Sequence, residues 1–443
     1  MPVVRRRTGF RRCRMKEHCA ERQMRSRRFC AWLQAARVCI CHQAVPGGAL
    51  ITGGGELYSL CPCAPQESLA GFFESLKNME VHGMEKYRVG IVGATGMVGQ
   101  RFISLLKDHP WFQVTCVAAS ARSAGKKYAE AVGDRWAFDW AIPADVADMV
   151  VMDAAEIDKV GEMVDFVFCA VDMKKDEVRA LEEAYAKHEI PVVSNNSACR
   201  GVEDVPMVVP EINAAHLEVI EAQRKRLGTE RGFIAVKPNC SIQSYVPAIT
   251  PLLDFGPEKM SVCTYQAISG AGKTFKTWPE MVDNVIPYIG GEDEKSENEP
   301  LKIWGHVEDG RIVNATEPVI SAQCLRVSAA DGHMAAVSVS FKNKPSMETI
   351  KERWANFETE AQKLGLPSAP KPFLQYFEDP TRPQTRLDRD FQNGFGVSIG
   401  RLREDKLFDY RFVCLSHNTV RGAAGGAMLT AELLCAKGYI TRK

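Results

Sequence analysis

The sequence contains no run of about 18 uncharged apolar residues, and this absence excludes a membrane-spanning helix. It also lacks a large excess of either charge, since 56 Lys and Arg oppose 55 Asp and Glu among 443 residues. With 45% hydrophobic and 25% charged residues, the composition excludes collagen-like and wholly disordered chains. The length predicts two or three domains with a sizeable core.

Charge and cysteine divide the chain unevenly. Residues 1–83 carry 13 Lys and Arg against 6 Asp and Glu, whereas the remainder carries 43 against 49. The main part of the chain is mildly acidic, so neither nucleic acid nor a membrane is an expected partner. Seven of the 15 cysteines lie in the first 63 residues, and the others are scattered. Irregular cysteines without a secretory apolar segment indicate a reduced, cytoplasmic protein.

The extension at residues 1–83 shows no convincing helical or strand period. Its composition cannot build a packed core, so we expect it to be disordered or to precede the true start at Met84. An Arg-rich run is also typical of a targeting segment, although Glu17 and Glu21 oppose that interpretation. A zinc site is disfavoured because C-x-C pairs lack the usual ligand spacing, so no metal is expected; these pairs are Cys39/Cys41 and Cys61/Cys63.

Ordered sequence begins with a strand, a glycine-rich turn and a helix. The apolar strand Tyr87–Val92 is followed by GATGMVG and then by the amphipathic stretch QRFISLLKDH. This order is typical of dinucleotide binding, with one glycine for the tight turn, one for close approach of the pyrophosphate and one for close helix packing. The predicted cofactor contacts are Gly93, Thr95, Gly96, Met97, Val98 and Gly99.

The end of the second predicted strand, residues 113–120, indicates which dinucleotide binds. A site for NAD usually places an acidic residue there to bind the ribose 2′-hydroxyl. Here the segment is SARSAGKKY, without an acid, and its hydroxyls and cations suit a 2′-phosphate. We therefore predict NADP as the cofactor, bound by Ser120, Arg122, Ser123 and Lys126. The alternative is that Lys126 or the adjacent Lys127 belongs only to a solvated loop.

One cysteine lies where a nucleophile is expected. Cys240 follows a buried strand at Phe233–Val236 and a Pro-Asn turn, and it opens a predicted helix. A helix N-terminus stabilises a thiolate, so we expect a lowered thiol pKa and N–H groups able to bind an oxyanion. The alternative, a buried structural cysteine, is the expectation for Cys116, Cys169, Cys263 and Cys414.

A nucleophilic thiol needs a proton-transfer partner, usually histidine. His333 lies between a short strand that carries Arg326 and a long apolar strand, directly after an Ala-Asp-Gly turn. This position would direct the imidazole from the end of a sheet. The alternative is a surface histidine at a strand end.

Together these residues resemble the aspartate-β-semialdehyde dehydrogenase family, in its archaeal and fungal-like branch. The resemblance runs from Tyr87 to the C-terminus and leaves residues 1–83 outside. It is carried by seven motifs in order: GATGMVG, SNNSACR, PNCS, TYQAISGAG, GGEDEK, the R-x6-H spacing from Arg326 to His333, and HNTVRGAAGGA.

The resemblance implies a role for each matching residue. Cys240 would be the nucleophile, His333 the acid and base, and Gln266 the residue that orients the acyl group. The remaining implied contacts are Arg326 to the substrate carboxylate, Glu292 to its ammonium, Lys295 and Arg200 to its phosphate, and Asn418 to the nicotinamide carboxamide. Taken alone, EDEKSENE is more typical of a solvated charge run.

The expected fold is α/β, with a Rossmann-type parallel sheet for NADP at residues 84–239, completed by a C-terminal helix at 418–443. Residues 240–417 would form an α+β catalytic and dimerisation domain with a mixed sheet. Its predicted strands are KMSVCTYQAIS, MAAVSVSF, GFGVSIGRLR and DYRFVCLS.

The implied activity is reversible, NADPH-dependent conversion of L-β-aspartyl phosphate to L-aspartate 4-semialdehyde and phosphate through a Cys240 thioester. It belongs to the biosynthesis of lysine, threonine, methionine and isoleucine, and the implied assembly is a homo-oligomer that binds small-molecule substrates. The alternatives are a malonyl-CoA reductase or an acetylglutamyl-phosphate reductase on the same scaffold, or a non-catalytic NADP-binding sensor.

Overall fold

The computed structural model describes residues 85–443, together with the backbone of three short strands in the extension. These strands, at Ile40–Cys41, Ala49–Ile51 and Leu57–Leu60, pair antiparallel in a sheet of their own. The sequence predicts no strand there. The other expectations for the extension, from disorder to targeting and zinc binding, lie outside the described residues. Residues 85–443 form one compact unit.

The first half of this unit is a six-stranded sheet in which every pair of neighbours is parallel. Its order is β3-β2-β1-β4-β5-β6, the arrangement of a dinucleotide-binding fold, and it confirms the expected parallel sheet. The strands are β1 Tyr87–Val92, β2 Phe112–Ala119, β3 Met152–Asp153, β4 Phe166–Cys169, β5 Val192–Ser194 and β6 Ile234–Val236. The helices between them are α1 Met97–Leu106, α2 Tyr128–Val132, α3 Ala144–Ala147, α4 Ile157–Met163, α5 Lys175–Lys187 and α6 Ile220–Leu227.

The central parallel strands are mainly apolar because helices cover both faces of the sheet. All four residues of β4 are buried, and so are all three of β5 and of β6. Helix α1 starts three residues earlier than the predicted helix, at Met97, and also ends earlier. It ends because Asp108 has φ +58, which a continuing helix cannot accommodate.

The second half is a seven-stranded mixed sheet with the order β8-β11-β7-β12-β15-β14-β13. Its strands are β7 Pro257–Gln266, β8 Val285–Ile286, β11 Val319–Val327, β12 His333–Phe341, β13 Leu374–Phe377, β14 Val397–Glu404 and β15 Tyr410–Ser416. The hairpin β9 His306–Glu308 and β10 Arg311–Val313 stands apart. The helices are α7 Val246–Ile249, α8 Glu292–Ile303, α9 Met347–Ala355, α10 Glu360–Lys363, α11 Thr385–Asp388 and α12 Gly425–Ala436. All four strands predicted for the mixed sheet are present, with ends shifted by a few residues.

The mixed sheet has one buried face and one partly exposed face. Along β12, buried and half-buried residues alternate over all nine positions, as expected for a strand whose second face is not covered by its own chain. Ala335, Val337 and Val339 point into the main hydrophobic core. The opposite face carries Met334 and Ser338, which are half-buried.

The last helix returns to the parallel sheet. Every residue from Gly425 to Leu434 is buried, and the apolar side chains of this stretch pack in one cluster with Phe102 and Ile103 of α1. The C-terminal helix therefore packs on the parallel-sheet half of the molecule, as the sequence predicts. Within residues 85–443, no helix is long and apolar enough to cross a bilayer.

Candidate active site

The glycine-rich turn is shaped by two of its three glycines. Gly93 has φ +91, and a Cβ added to it would lie 2.3 Å from the Ala170 carbonyl oxygen. A Cβ at Gly99 would lie 2.3 Å from the Gly93 carbonyl oxygen, so this glycine lets α1 begin tightly against the preceding turn. At Gly96 the nearest atom would be 3.5 Å away, an ordinary contact. The protein's own packing therefore does not require Gly96 to lack a side chain.

The N-terminus of α1 is open to an anion. Gly96 is its N-cap and no side chain caps the first turn, so the leading N–H groups are available. A helix N-terminus with free N–H groups favours negative charge. The Gly93–Gly99 turn, including Thr95, Met97 and Val98, therefore fits the pyrophosphate of a dinucleotide.

A segment without any recognised motif supports this turn. Gln100 donates through Nε2 to the carbonyl oxygens of Thr95 and Arg135, both at 3.0 Å, and its Oε1 accepts from the Ala137 N–H at 2.8 Å. The Tyr128 hydroxyl donates to the Ala94 carbonyl oxygen at 2.9 Å. Residues near 128–137 thus hold the backbone of the glycine turn in place.

The loop after β2 carries the residues predicted to select NADP. Ser120 and Ser123 are joined by a backbone hydrogen bond of 2.8 Å, and Arg122 and Lys126 are exposed. Lys127 instead forms an exposed ion pair with Asp148, at 2.8 Å. Of the two adjacent lysines, Lys126 is therefore the one without an ion pair in the described residues. The same strand end receives the glycine turn, since Gly93 N–H donates to the Ala118 carbonyl oxygen.

The turn that holds Cys240 differs from the prediction. Cys240 is the N-cap of a helical segment, as predicted, but the segment is divided into a 3-10 turn at Ser241–Gln243, the four-residue α7 and a 3-10 helix at Thr250–Phe255. The cysteine therefore precedes a 3-10 turn rather than one continuous α-helix. Asn239 stabilises this turn, because its Oδ1 accepts from the Ser241 N–H at 2.8 Å. A Cβ added to Gly422 would lie 2.8 Å from the Cys240 Cβ, so the C-terminal segment packs directly against the cysteine.

The expected lowering of the thiol pKa is also wrong. Burial raises the pKa of the Cys240 thiol above its ordinary value, and the nearby Glu292 carboxylate raises it further. Three cations, Lys237, Arg200 and Arg326, act in the opposite direction without reversing the shift. In this state of the protein the thiol holds its proton at neutral pH.

Strand register brings the next three residues to one edge of the mixed sheet. Gln266 and Arg326 are paired neighbours at the carboxyl ends of the parallel strands β7 and β11. His333 is the first residue of β12, which is antiparallel to β7. The start of an antiparallel strand lies beside the end of its neighbour, so these side chains share an edge.

The imidazole of His333 is held in one neutral tautomer. Its ring is fully buried, and Nδ1 accepts a hydrogen bond of 3.1 Å from the Ala267 N–H. The ring proton is therefore assigned to Nε2, which has no partner among the described residues. Burial, followed by the charge of Arg326, lowers the pKa of His333 well below its usual value. A neutral ring with an unused Nε2–H can donate to an oxygen of a bound ligand.

Gly270 leaves space between the imidazole and the guanidinium. A Cβ there would lie 2.8 Å from Arg326 Nη1 and 2.9 Å from His333 Nε2. Arg326 is buried and Nη1 donates to the Ala267 carbonyl oxygen at 2.8 Å, which leaves its other N–H groups for a ligand. A glycine at this position keeps both groups accessible to a small anionic molecule.

Glu292 lies at the centre of a buried hydrogen-bond network. Lys295 pairs with it at 2.8 Å, Asn239 donates to both carboxylate oxygens at 3.0 Å, and Gln266 donates at 3.1 Å. Burial alone would raise the pKa of this carboxyl group, but the charge of Lys295 and these donors lower it below its usual value. Glu292 is therefore a carboxylate at neutral pH.

Helix α8 is not a uniformly solvated charge run. Glu292, Ser296 and Glu299 are buried along one face, whereas Glu294 is exposed. The solvated-run interpretation of EDEKSENE is thus wrong for the face that contacts the site. Arg200 pairs with Glu299 at 2.9 Å. A cavity of about 490 Å³ is lined by cations that include Arg200 and Lys295.

Asn418 ties the C-terminal segment to the reaction site. Its Oδ1 accepts from the Gly332 N–H and its Nδ2 donates to the Ser269 hydroxyl, both at 2.8 Å. It therefore holds the turn before His333 against the turn that contains Gly270. The predicted contact of Asn418 with a nicotinamide carboxamide stays a prediction.

Sequence reasoning missed two residues beside the thiol. Asn239 links the Cys240 turn to Glu292, and Lys237 is buried at the end of β6 with a pKa lowered to about 7, chiefly by burial. The signal for Lys237 was its position directly after the apolar run FIAV, at the carboxyl edge of the sheet where ligands bind. In residues 85–443, no cluster of three or more metal-binding side chains occurs, and all eight cysteines are unpaired.

A parallel dinucleotide-binding sheet joined to a mixed sheet with a thiol, an imidazole and clustered cations is the architecture of an NAD(P)-dependent oxidoreductase. Two family profiles match the chain: the semialdehyde dehydrogenase NAD-binding domain over residues 88–220, and the semialdehyde dehydrogenase dimerisation domain over residues 249–421. The chain belongs to the aspartate-semialdehyde dehydrogenase family, as the following relatives show.

The aspartate-semialdehyde dehydrogenase of Aspergillus fumigatus is 44% identical over 364 residues, which are 80% of this chain and 99% of that protein. The enzyme of Archaeoglobus fulgidus is 43% identical over 355 residues, 79% of this chain and 98% of the relative. Among solved structures, aspartate semialdehyde dehydrogenase with NADP from Candida albicans matches with a TM-score of 0.73 and 40% identity, covering 80% of this chain and all of that one. The resemblance to both fungal and archaeal enzymes is confirmed.

Proposed function

We propose that this protein is an NADPH-dependent aspartate-semialdehyde dehydrogenase. It converts L-β-aspartyl phosphate to L-aspartate 4-semialdehyde and phosphate, reversibly, in the biosynthesis of lysine, threonine, methionine and isoleucine. The observation that carries the proposal is the hydrogen bonding of the Glu292 carboxylate to Asn239, which precedes Cys240, and to Gln266, which is paired with Arg326. Family membership supports the same activity.

The charges of the site complement those of the substrate. β-Aspartyl phosphate presents a carboxylate, an ammonium and a phosphate. Arg326 offers unused N–H groups for the carboxylate, since a guanidinium forms two parallel hydrogen bonds with such a group. Glu292 is the ionised acid that would accept the ammonium. Arg200 and Lys295, which line the same cavity, would bind the phosphate.

Acyl transfer and reduction occur at one carbon. Cys240 gives its thiol proton to the departing phosphate while its sulfur attacks the acyl carbon: an S–C bond forms, the C–O bond to phosphate breaks, and a thioester remains. The dinucleotide, when bound, supplies the hydride that reduces this thioester. Gln266 orients the acyl oxygen, and His333 Nε2–H donates to that oxygen as negative charge develops on it. Collapse of the thiohemiacetal then releases the aldehyde and regenerates the thiol.

The cofactor is NADP, bound by two adjacent turns. Gly93, Gly96 and Gly99 shape the turn that receives the pyrophosphate at the N-terminus of α1. The residues that would bind the 2′-phosphate are Ser120, Arg122, Ser123 and Lys126, a set without an acid. Asn418 would contact the nicotinamide carboxamide from its position beside Ser269. The Candida albicans relative was solved with NADP.

The active form is a homo-oligomer that uses the partly exposed face of the mixed sheet. The dimerisation-domain profile covers this sheet, and β12 presents half-buried residues at every second position. We assign residues 84–239 and 418–443 to the NADP domain and 240–417 to catalysis and dimerisation. The unpaired cysteines of residues 85–443 support a reducing compartment such as the cytoplasm.

Activity assays with different substrates, together with a measurement of NADP binding, test the activity against its alternatives. The purified protein should reduce NADP with L-aspartate 4-semialdehyde only when phosphate is present. Activity that depends on coenzyme A instead would indicate a malonyl-CoA reductase. Reaction with the acetylglutamate semialdehyde in place of the aspartate compound would indicate the acetylglutamyl enzyme. NADP binding without any turnover would indicate a sensor and refute the proposal.

A further inference from the structure

One buried carboxylate of helix α8 has no role in the mechanism. Glu299 lies on the same buried face of the helix as Glu292. Its Oε1 accepts a hydrogen bond from Arg200 Nη1 at 2.9 Å, and its Oε2 accepts one from the backbone N–H of Asn239 at 2.5 Å. Glu299 therefore joins the arginine assigned to phosphate to the residue that directly precedes the nucleophile.

Arg200 has one donor group left for a ligand. Its Nη2 donates to the Asn195 carbonyl oxygen at 3.1 Å, whereas its Nε is buried without a partner among the described residues. The residue lines the cavity of about 490 Å³. A buried N–H group without an acceptor is rare in a folded protein, and an oxygen of a bound anion would satisfy this one.

The backbone holds both partners of the ion pair in place. Lys302 Nζ donates to the carbonyl oxygens of Arg200, Val202 and Val205, at 2.7, 2.6 and 3.0 Å, so all three of its N–H groups fix the loop that carries the arginine. The N–H before the nucleophile holds the carboxylate of Glu299 from the other side. An anion that enters the cavity therefore meets an arginine that is already paired.

We propose that Glu299 is a positioning residue that fixes Arg200 beside the nucleophile turn and keeps phosphate weakly bound there. Its carboxylate offsets part of the guanidinium charge and repels a second anion, since charges interact strongly where water is excluded. Glu292 differs, because the ammonium of the substrate would compensate its charge. The substrate contains no second cation to compensate the charge of Glu299.

A weakened phosphate site suits a reversible reaction. Phosphate is displaced from the acyl carbon in one direction and attacks it in the other, so the site has to release phosphate as well as bind it. An interaction that held phosphate equally tightly throughout the reaction would not accelerate the chemical step. This paragraph rests on the proposed function, whereas the effect of Glu299 on anion binding at Arg200 does not.

Isothermal titration calorimetry of the full chain with inorganic phosphate measures this effect directly. Glu299→Gln removes the negative charge at similar volume, so the Kd for phosphate should fall about fivefold. A residue that merely supports the fold would weaken binding when it is substituted, which is the opposite sign. Glu299→Asp keeps the charge and should keep the original Kd. In assays, the KM for phosphate should fall with the Kd in Glu299→Gln.

Two further variants are the controls. Glu294 is an exposed acid of the same helix that lines the same cavity. Glu294→Gln should change the Kd for phosphate by less than about twofold, because water and salt screen an exposed charge. In an Arg200→Met background, Glu299→Gln should no longer tighten phosphate binding, since the carboxylate acts through the guanidinium.

An unchanged or raised Kd for phosphate in Glu299→Gln would overturn the inference, as would a gain of equal size in the Arg200→Met background. The absence of phosphate binding in both the original protein and the variant would overturn it too. Calorimetry needs neither substrate nor cofactor, so tighter phosphate binding in a protein without phosphate-dependent turnover would refute the proposed function alone. Should the Gln variant fail to fold, Glu299→Met removes the same charge and carries the same test.

Discussion

The glycine turn and the thiol site are built in different ways. The turn from Gly93 to Gly99 is contiguous, and its shape follows from two glycines that have no room for a side chain. The thiol site draws Cys240, Glu292 and His333 from three separate elements: strand register places His333 beside Gln266, and hydrogen bonds of Glu292 to Asn239 and Gln266 join the rest. A contiguous motif can therefore be recognised from sequence, whereas the ionisation of an assembled site depends on packing between distant segments.

The largest expected effect is a loss of turnover at the thiol site that leaves dinucleotide binding at the glycine turn unchanged. Cys240→Ala should lower turnover by more than about a thousandfold because no other group can form the thioester. Dinucleotide binding, measured by fluorescence titration, should be unchanged. Cys263→Ala, on the partly exposed face of β7, is the matched control and should retain full activity. Substantial turnover by Cys240→Ala would remove the thiol from the mechanism.

A methyl group added at Gly270 should block access of a ligand to Arg326 and His333. Gly270→Ala places a Cβ within 3 Å of Arg326 Nη1 and His333 Nε2 and should lower kcat/KM by about a hundredfold. Gly272→Ala changes the same turn, but its new methyl meets no atom within 4 Å. Because Gly272 has a positive φ, that control should lose only about 1 kcal/mol of stability. Equal kinetics in the two variants would contradict the assigned geometry.

Two glycines of the same turn, Gly93 and Gly96, should respond differently to substitution by alanine. Gly93→Ala should destabilise the fold by about 3 kcal/mol, because φ and the Ala170 carbonyl oxygen both exclude a side chain. Gly96→Ala should leave the thermal midpoint nearly unchanged and raise the Kd for NADPH about tenfold, since only a ligand needs that space. Thermal unfolding and cofactor titration separate the two effects. Tight cofactor binding by Gly96→Ala would place the pyrophosphate elsewhere.

The smallest expected effect concerns two adjacent lysines. Lys126→Ala should raise the KM for NADP a few-fold and leave the KM for NAD unchanged, because only NADP carries the 2′-phosphate. Lys127→Ala should change neither value, since Lys127 is paired with Asp148 on the surface. An exposed ion pair of this kind contributes little to stability. A raised KM for NADP in Lys127→Ala but not in Lys126→Ala would assign the 2′-phosphate contact to Lys127 instead.

Much of the fold could be predicted because its signals are local. The strands of both sheets were recognised from apolar runs and alternation, and β12 alternates over its whole length. The helix predicted to open at Cys240 is present, but it is divided into short 3-10 and α segments that were not predicted, although their signal was in the sequence. Pro247 and Pro251 each lie in the first turn of a short helix, and proline interrupts a helix that would otherwise continue.

The chemistry of the site could be predicted only in part. Residue types and order indicated Cys240 and His333, but their pKa shifts arise from burial and from Glu292 and Arg326, which are distant in the chain. The bond from Asn239 to Glu292 depends on how α8 packs on the Cys240 turn. The spacing of residues in the sequence does not predict these pKa shifts or this hydrogen bond, because both depend on how the two halves pack together.

The tight contact between Gly422 and Cys240 has a consequence during protein synthesis. Gly422 and Asn418 follow Cys240 and His333 in the chain, so the ribosome adds them later, yet Gly422 packs on Cys240 and Asn418 holds the turn before His333. A nascent chain that already contains the thiol and the imidazole still lacks the segment around residues 418–422, which contacts Cys240 and the turn before His333. Prematurely terminated polypeptides should therefore be catalytically silent rather than weakly active.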